Sequence, residues 1–233
     1  MSGIERKLGV EFIGAFFLMF TVGMAVATAG TLAPLAIGAM LMVMVFAGGH
    51  VSGGHYNPAV STAVFIRGKL TTLEYGAYIV TQAVGAIAAA GVVIALDYNP
   101  AAHAKVAGDS KMLIVEFLFT FALAYVVLNV ATADDTEGNS YYGLAIGFTV
   151  ATGAFAVGSV SGGAFNPAVA IGGTVAGLFP WSHIWIYLLA NFAGGAAAAF
   201  AFRLTQPVEH PSGGRPSPSA GQAEQLFTAR GTD

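Results

Sequence analysis

Residues 49 to 60 read GHVSGGHYNPAV and residues 158 to 169 read GSVSGGAFNPAV, so nine of twelve positions coincide at an offset of 109. No other feature limits the fold so tightly. LAIG recurs at 35–38 and 144–147 with the same offset, and VEFIGAFFLMF at 10–20 is echoed by VEFLFTFALAY at 115–125. The chain is therefore built from two related halves, about 6–96 and 112–204.

Between and around these phrases run long, nearly uncharged stretches at about 8–29, 32–52, 72–96, 112–132, 141–161 and 182–202. A hydrocarbon layer about 30 Å thick asks for roughly 20 apolar residues per helix. With 56% hydrophobic and 9% charged residues, the sequence lies outside the range of water-soluble domains. It predicts an all-α membrane protein of six spans over residues 1–205. A strand barrel would need short alternating segments, and these runs do not alternate. The first run ends in ATAG like a signal-peptidase site, but it is too long for a signal core and holds Glu11.

Three spans per half is an odd number, so the second half lies inverted relative to the first, an arrangement that builds pathways at the bilayer midplane. Each shared phrase precedes a short apolar stretch, Asn57 to Arg67 and Asn166 to Gly177. Eleven helical residues rise about 16 Å, half the hydrocarbon thickness. Two re-entrant half-helices from opposite faces would complete one crossing, with their N-termini meeting at the centre.

Asn57–Pro58–Ala59 and Asn166–Pro167–Ala168 suit that meeting point. Asn is a favoured N-cap and Pro a favoured first helical residue. A capping Asn spends its side-chain oxygen on the backbone and keeps its amide as a donor pair. Helix N-termini add on the order of +0.5 charge each, which welcomes an acceptor oxygen and repels a cation. The glycine-rich stretch upstream predicts irregular backbone, tolerated at membrane depth where it lines a watery cavity. Gly53, Gly54, His55, Gly162 and Ala164 would then offer carbonyls along a single-file pore for polar, uncharged solutes. Asn99–Pro100–Ala101 lacks the glycine run and reads as a loop turn.

Twin NPA triplets, each preceded by VSGG in a six-span inverted repeat, resemble the aquaporin or major intrinsic protein family over about residues 6 to 204. The resemblance implies a passive channel, usually a homotetramer with one pore per subunit. It also implies that matching glutamates, here Glu11 and Glu116, accept hydrogen bonds from the re-entrant loops. Their place in spans 1 and 4 otherwise suggests a proton relay. Most members carry an arginine directly after the second NPA, and here that position is Val169. The other filter positions, counted back from the triplets, are Ile37, Ala154 and Gly163.

This quartet has no charge and no side-chain donor. It predicts a constriction wide enough for glycerol, urea or neutral metalloid hydroxides as well as water, the alternative being a strict water channel. A proton-coupled carrier also uses inverted repeats, and a closed structural protein is a third possibility. No phosphate loop, dinucleotide fingerprint or metal-type histidine spacing is present, so neither an enzyme nor a cofactor is expected. With no cysteine, thiol-directed mercury should not block the pore.

Seven basic residues (Arg6, Lys7, Arg67, Lys69, Arg203, Arg215, Arg230) fall on one side of the six spans and two (Lys105, Lys111) on the other. The bias predicts that both termini are cytoplasmic in the cell membrane. The same side carries the acidic loop Asp134, Asp135 and Glu137. Residues 206–233, rich in Pro, Gly, Ser and Gln, predict a disordered tail. His50 and His55 flank the first VSGG and are candidate pH-sensing groups, while His183 sits between Trp181 and Trp185 in an interfacial belt.

Overall fold

The computed structural model describes residues 3–97 and 108–206. The Asn99–Pro100–Ala101 triplet, His103 and the segment beyond 206 lie outside the described residues.

Six helices are long and apolar enough to cross a membrane. They are α1 (Gly3–Thr28), α2 (Ala33–Ser52), α4 (Thr72–Ala95), α5 (Asp109–Ala131), α6 (Tyr142–Ser161) and α8 (Ile184–Thr205). Two short helices, α3 (Pro58–Arg67) and α7 (Pro167–Val175), follow α2 and α6. The expected spans are all present, with ends displaced by a few residues. Asn57 and Asn166 cap the short helices from outside, which leaves ten and nine helical residues. These rise about 15 Å and about 14 Å, too short to span alone. α7 stops at Val175 because Gly177 turns to φ +80° and the Leu178 N–H folds back onto the Gly173 carbonyl at 2.7 Å.

Local chemistry fixes the other ends. α2 and α6 stop at glycines in the left-handed region, Gly53 at φ +91° and Gly162 at φ +88°, a conformation that costs a residue with a Cβ. α4 opens on a capping box in which the Glu74 N–H donates to Thr71 Oγ1 and the Thr71 N–H to Glu74 Oε2. The acidic stretch is a short 3₁₀ turn, Asp134–Thr136, and not a free loop. Thr136 Oγ1 donates to the Asn129 carbonyl and Asn139 Nδ2 to that of Val130, so the turn satisfies carbonyls at the end of α5.

The helices pair as the repeat requires. α1 lies on α2 and α4, and α5 lies on α6 and α8. The halves meet where α2 crosses α6, and there a Cβ added to Gly38 or Gly147 would stand 2.5 Å from the other's carbonyl oxygen. Small residues let backbones approach closely where no hydrophobic effect drives helices together. Each short helix rests chiefly on the last helix of the opposite half, α3 on α8 and α7 on α4. The two halves thus interlock through their re-entrant segments.

Candidate functional site

The tips of α3 and α7 meet inside the bundle. The Ala59 N–H donates to Asn57 Oδ1 and the Ala168 N–H to Asn166 Oδ1, each at 2.9 Å, so both asparagines cap as expected. Their amide nitrogens differ from the expected free donor pair. Asn57 Nδ2 donates to the Phe165 carbonyl and Asn166 Nδ2 to the Tyr56 carbonyl, both at 2.9 Å. Burial demands a partner for those two carbonyls. One N–H of each amide therefore holds the halves together, and one is left for the passage.

The carbonyls point across because Tyr56 and Phe165 sit in the left-handed region, at φ +49° and +47°. Such a backbone is unusual for aromatic residues and costs on the order of 1–3 kcal/mol. Tight pockets hold both rings. Tyr56 fills the space left by Gly14 and Gly48 and donates its hydroxyl to the Met44 carbonyl at 2.9 Å, while Phe165 lies on Gly153 and Phe119.

Each re-entrant loop is tied to a fully buried carboxylate. Glu11 Oε1 accepts from Ser52 Oγ and the His55 N–H, and Oε2 from the Tyr56 N–H and Gln82 Nε2, at 2.7 to 2.9 Å. Four donors occupy the four acceptor sites of a carboxylate. Glu116 repeats the pattern with Ser161 Oγ and the Ala164 N–H on Oε1 and the Phe165 N–H on Oε2. Tyr78 and Tyr187 donate their hydroxyls to the Ser52 and Ser161 carbonyls. Gln82, Asn191, Tyr78 and Tyr187 were not singled out in the sequence, although they obey the offset of 109 that exposed the motifs (82 to 191, 78 to 187).

An internal cavity of about 20 Å³ lies at the junction, room for about one water. Asn57, Asn166, Gly54, His55, Gly163, Ala164, Ile37 and Val169 line it. Its remaining lining is almost entirely made of repeat partners: Leu18 with Leu123, Val22 with Val127, Leu41 with Val150, Ile146 with Ile37 and Val60 with Val169. The residue after the second NPA thus matches the residue after the first. No lysine or arginine lines this cavity.

Ala154 does not line the inner cavity. Its repeat partner Val45, with Gly49, His50, Gly53 and Tyr142, lines a wider vestibule of about 480 Å³ on the α3 side, bordered by Lys69, Asp134 and Glu137. Gly53 thus faces this mouth. Gly162 lines neither space and is covered by the Phe179 ring. Among the described residues no cluster of His, Cys, Asp or Glu could hold a metal.

Residues 3–202 match the family model for the major intrinsic protein. The chain belongs to the major intrinsic protein family. As a major intrinsic protein it is a passive, non-enzymatic membrane channel for water and small neutral solutes. It is 38% identical over 213 residues to Aquaporin NIP1-4 of Oryza sativa subsp. japonica, covering 85% of this chain and 76% of that one. It is 36% identical over 211 residues to glycerol uptake facilitator protein-like 6 of Lactiplantibacillus plantarum, covering 85% and 97%. The solved aquaglyceroporin from Plasmodium falciparum superposes with a TM-score of 0.72 at 20% identity, over 85% of this chain and 95% of that one, a likeness of fold.

Proposed function

We propose that this channel passes neutral solutes larger than water, namely glycerol, urea or uncharged metalloid hydroxides, because its filter lacks a cationic side chain. The observation that carries this reading is Val169 lining the same cavity as Asn57 and Asn166, in a lining without lysine or arginine. Ile37, Gly163 and Val169, which line the cavity, form the proposed filter, and the carbonyls of Gly53, Gly54, His55 and Ala164 the proposed acceptor ladder, whereas Ala154 and Gly162 line neither space and are left out of both. A relative named as a glycerol uptake facilitator supports the same substrate class. Glu11 and Glu116 serve as braces for the loops, since their oxygens are taken up by hydroxyl, amide and backbone donors.

The deciding experiment is stopped-flow swelling of reconstituted vesicles in glycerol and in urea. Faster swelling than protein-free vesicles in either solute supports the wide filter. Water passage with neither solute supports the second reading, a strict water channel, which the cavity of about 20 Å³ favours.

We further propose that four copies assemble, each with its own pore, and that both termini face the cytoplasm of the cell's bounding membrane. The clustering of Arg6, Lys7, Arg67, Lys69 and Arg203 on one side supports the orientation. The exposed apolar faces, among them Phe46, Phe148 and Phe155, leave ample surface for neighbouring copies or lipid.

A further inference from the structure

The two halves differ in polarity beside the first VSGG, where His55 lines the cavity. His55 corresponds to Ala164, and the ring that fills the matching space in the second half comes from Phe179. His55 packs on Tyr78 with centroids 5.3 Å apart, and Phe179 packs on Tyr187, the repeat partner of Tyr78, at 4.8 Å. A Cβ on Gly53 would stand 3.0 Å from His55 Nε2, and a Cβ on its partner Gly162 would strike the Phe179 ring. An imidazole and a phenyl ring thus occupy equivalent stations at the two ends.

A chain of hydrogen bonds decides which imidazole nitrogen carries the proton. Glu11 Oε2 can only accept, so Gln82 turns its amide nitrogen toward it at 2.7 Å and spends its other N–H on Ser61 Oγ at 3.0 Å. The remaining partner of Ser61 Oγ is His55 Nδ1, at 3.0 Å. The serine hydroxyl therefore donates, Nδ1 accepts, and the proton of the neutral ring resides on Nε2. That nitrogen has no protein partner among the described residues and lies beside Gly53, which faces the vestibule.

We propose that His55 is a solute-binding residue, presenting a fixed Nε2–H donor to the oxygen of each molecule passing from the α3-side vestibule to the asparagine junction. Ser61 and Gln82 are positioning residues that hold the tautomer. A permeant sheds water on leaving the vestibule, and the imidazole N–H replaces one of the lost donors before the asparagine amides take over. The second half, with Phe179 in that station and Ala170 in place of Ser61, provides no such donor. The assignment rests on the channel reading, and its test has an arm that does not depend on transport.

Nitrogen-15 NMR of the full chain in lipid bilayers, with His55 identified by difference from His55→Phe, reads the tautomer directly. The expected signature is a protonated Nε2 with an unprotonated Nδ1 in the native protein and a mixture of the two tautomers in Ser61→Ala. A protonated Nδ1 in the native protein overturns the proposal. In vesicle swelling, His55→Phe, which copies the ring of the other half, is expected to lower water permeability per channel by on the order of fivefold, the worth of one neutral hydrogen bond. Ser61→Ala lowers it less. Native-like permeability in His55→Phe overturns the binding role, whereas native vesicles that pass no water refute the channel reading and leave the tautomer result standing.

Discussion

Asn57 donates across the centre of the molecule to the carbonyl of Phe165 at 2.9 Å, and the same bond runs back from Asn166 to Tyr56. Asn57→Ala removes a helix cap, worth about 1 kcal/mol, and strands a buried carbonyl, worth about 1–3 kcal/mol. Thermal unfolding in detergent is expected to show this loss for Asn57→Ala and for Asn166→Ala. Because the two bonds share one junction, the double variant is expected to lose less than the sum.

The wide filter makes a directional prediction. Val169→Arg places a cation in a lining that has none, so glycerol or urea permeability is expected to fall by on the order of tenfold, about 1.4 kcal/mol in barrier. Water permeability should fall less. Stopped-flow swelling with all three permeants on the same vesicles measures the ratio, and equal losses for all would point to simple occlusion.

Glu11 and Glu116 hold the two loops through matching donors, a hydroxyl and two backbone N–H groups each. Replacement by Gln turns an –NH₂ toward groups that are themselves donors. Glu11→Gln and Glu116→Gln are therefore each expected to lower the denaturation midpoint, by about 1–3 kcal/mol for every buried bond lost.

The α2–α6 crossing tolerates no side chain. A methyl at Gly38 or Gly147 would stand 2.5 Å from a carbonyl oxygen of the facing helix. Gly38→Ala or Gly147→Ala is expected to force the helices apart at a cost of about 1–3 kcal/mol, seen as a lower unfolding temperature. Gly76, which meets nothing within 4 Å, serves as the control for Gly→Ala.

Orientation is testable because the native chain contains no cysteine. In intact cells, a membrane-impermeant maleimide is expected to label Trp181→Cys and to spare Asp135→Cys until the membrane is opened. The reverse pattern would place the termini outside. Mercury should leave the native channel unblocked.

Much of this architecture could be read from the chain itself, because a repeat at fixed offset together with NPA capping leaves few alternatives. The half-helices, their caps and the pairing of Asn57 with Asn166 follow from Asn, Pro and span length. What eluded that reading has physical reasons. Tyr56 and Phe165 adopt a left-handed backbone against their own preference, a cost visible only beside the glycine-lined pockets that hold their rings. The cross-bonds that consume half of each amide's donors depend on those two carbonyl directions. Phe179 replaces an imidazole from a position that aligns with Leu70 at the repeat offset (70 to 179), so comparison in register could not find it. Gln82 and Asn191 were within reach of that comparison, and the hydropathy of their helices masked them.

The reciprocal amide bonds bear on how the polypeptide matures. During synthesis the first three crossings emerge with Asn57 lacking its acceptor and Tyr56 lacking its donor, since both partners are encoded more than a hundred residues downstream. The clasp can fasten only after Phe165 and Asn166 have followed, so a chain truncated after Ala95 would leave its half of the seam unlatched.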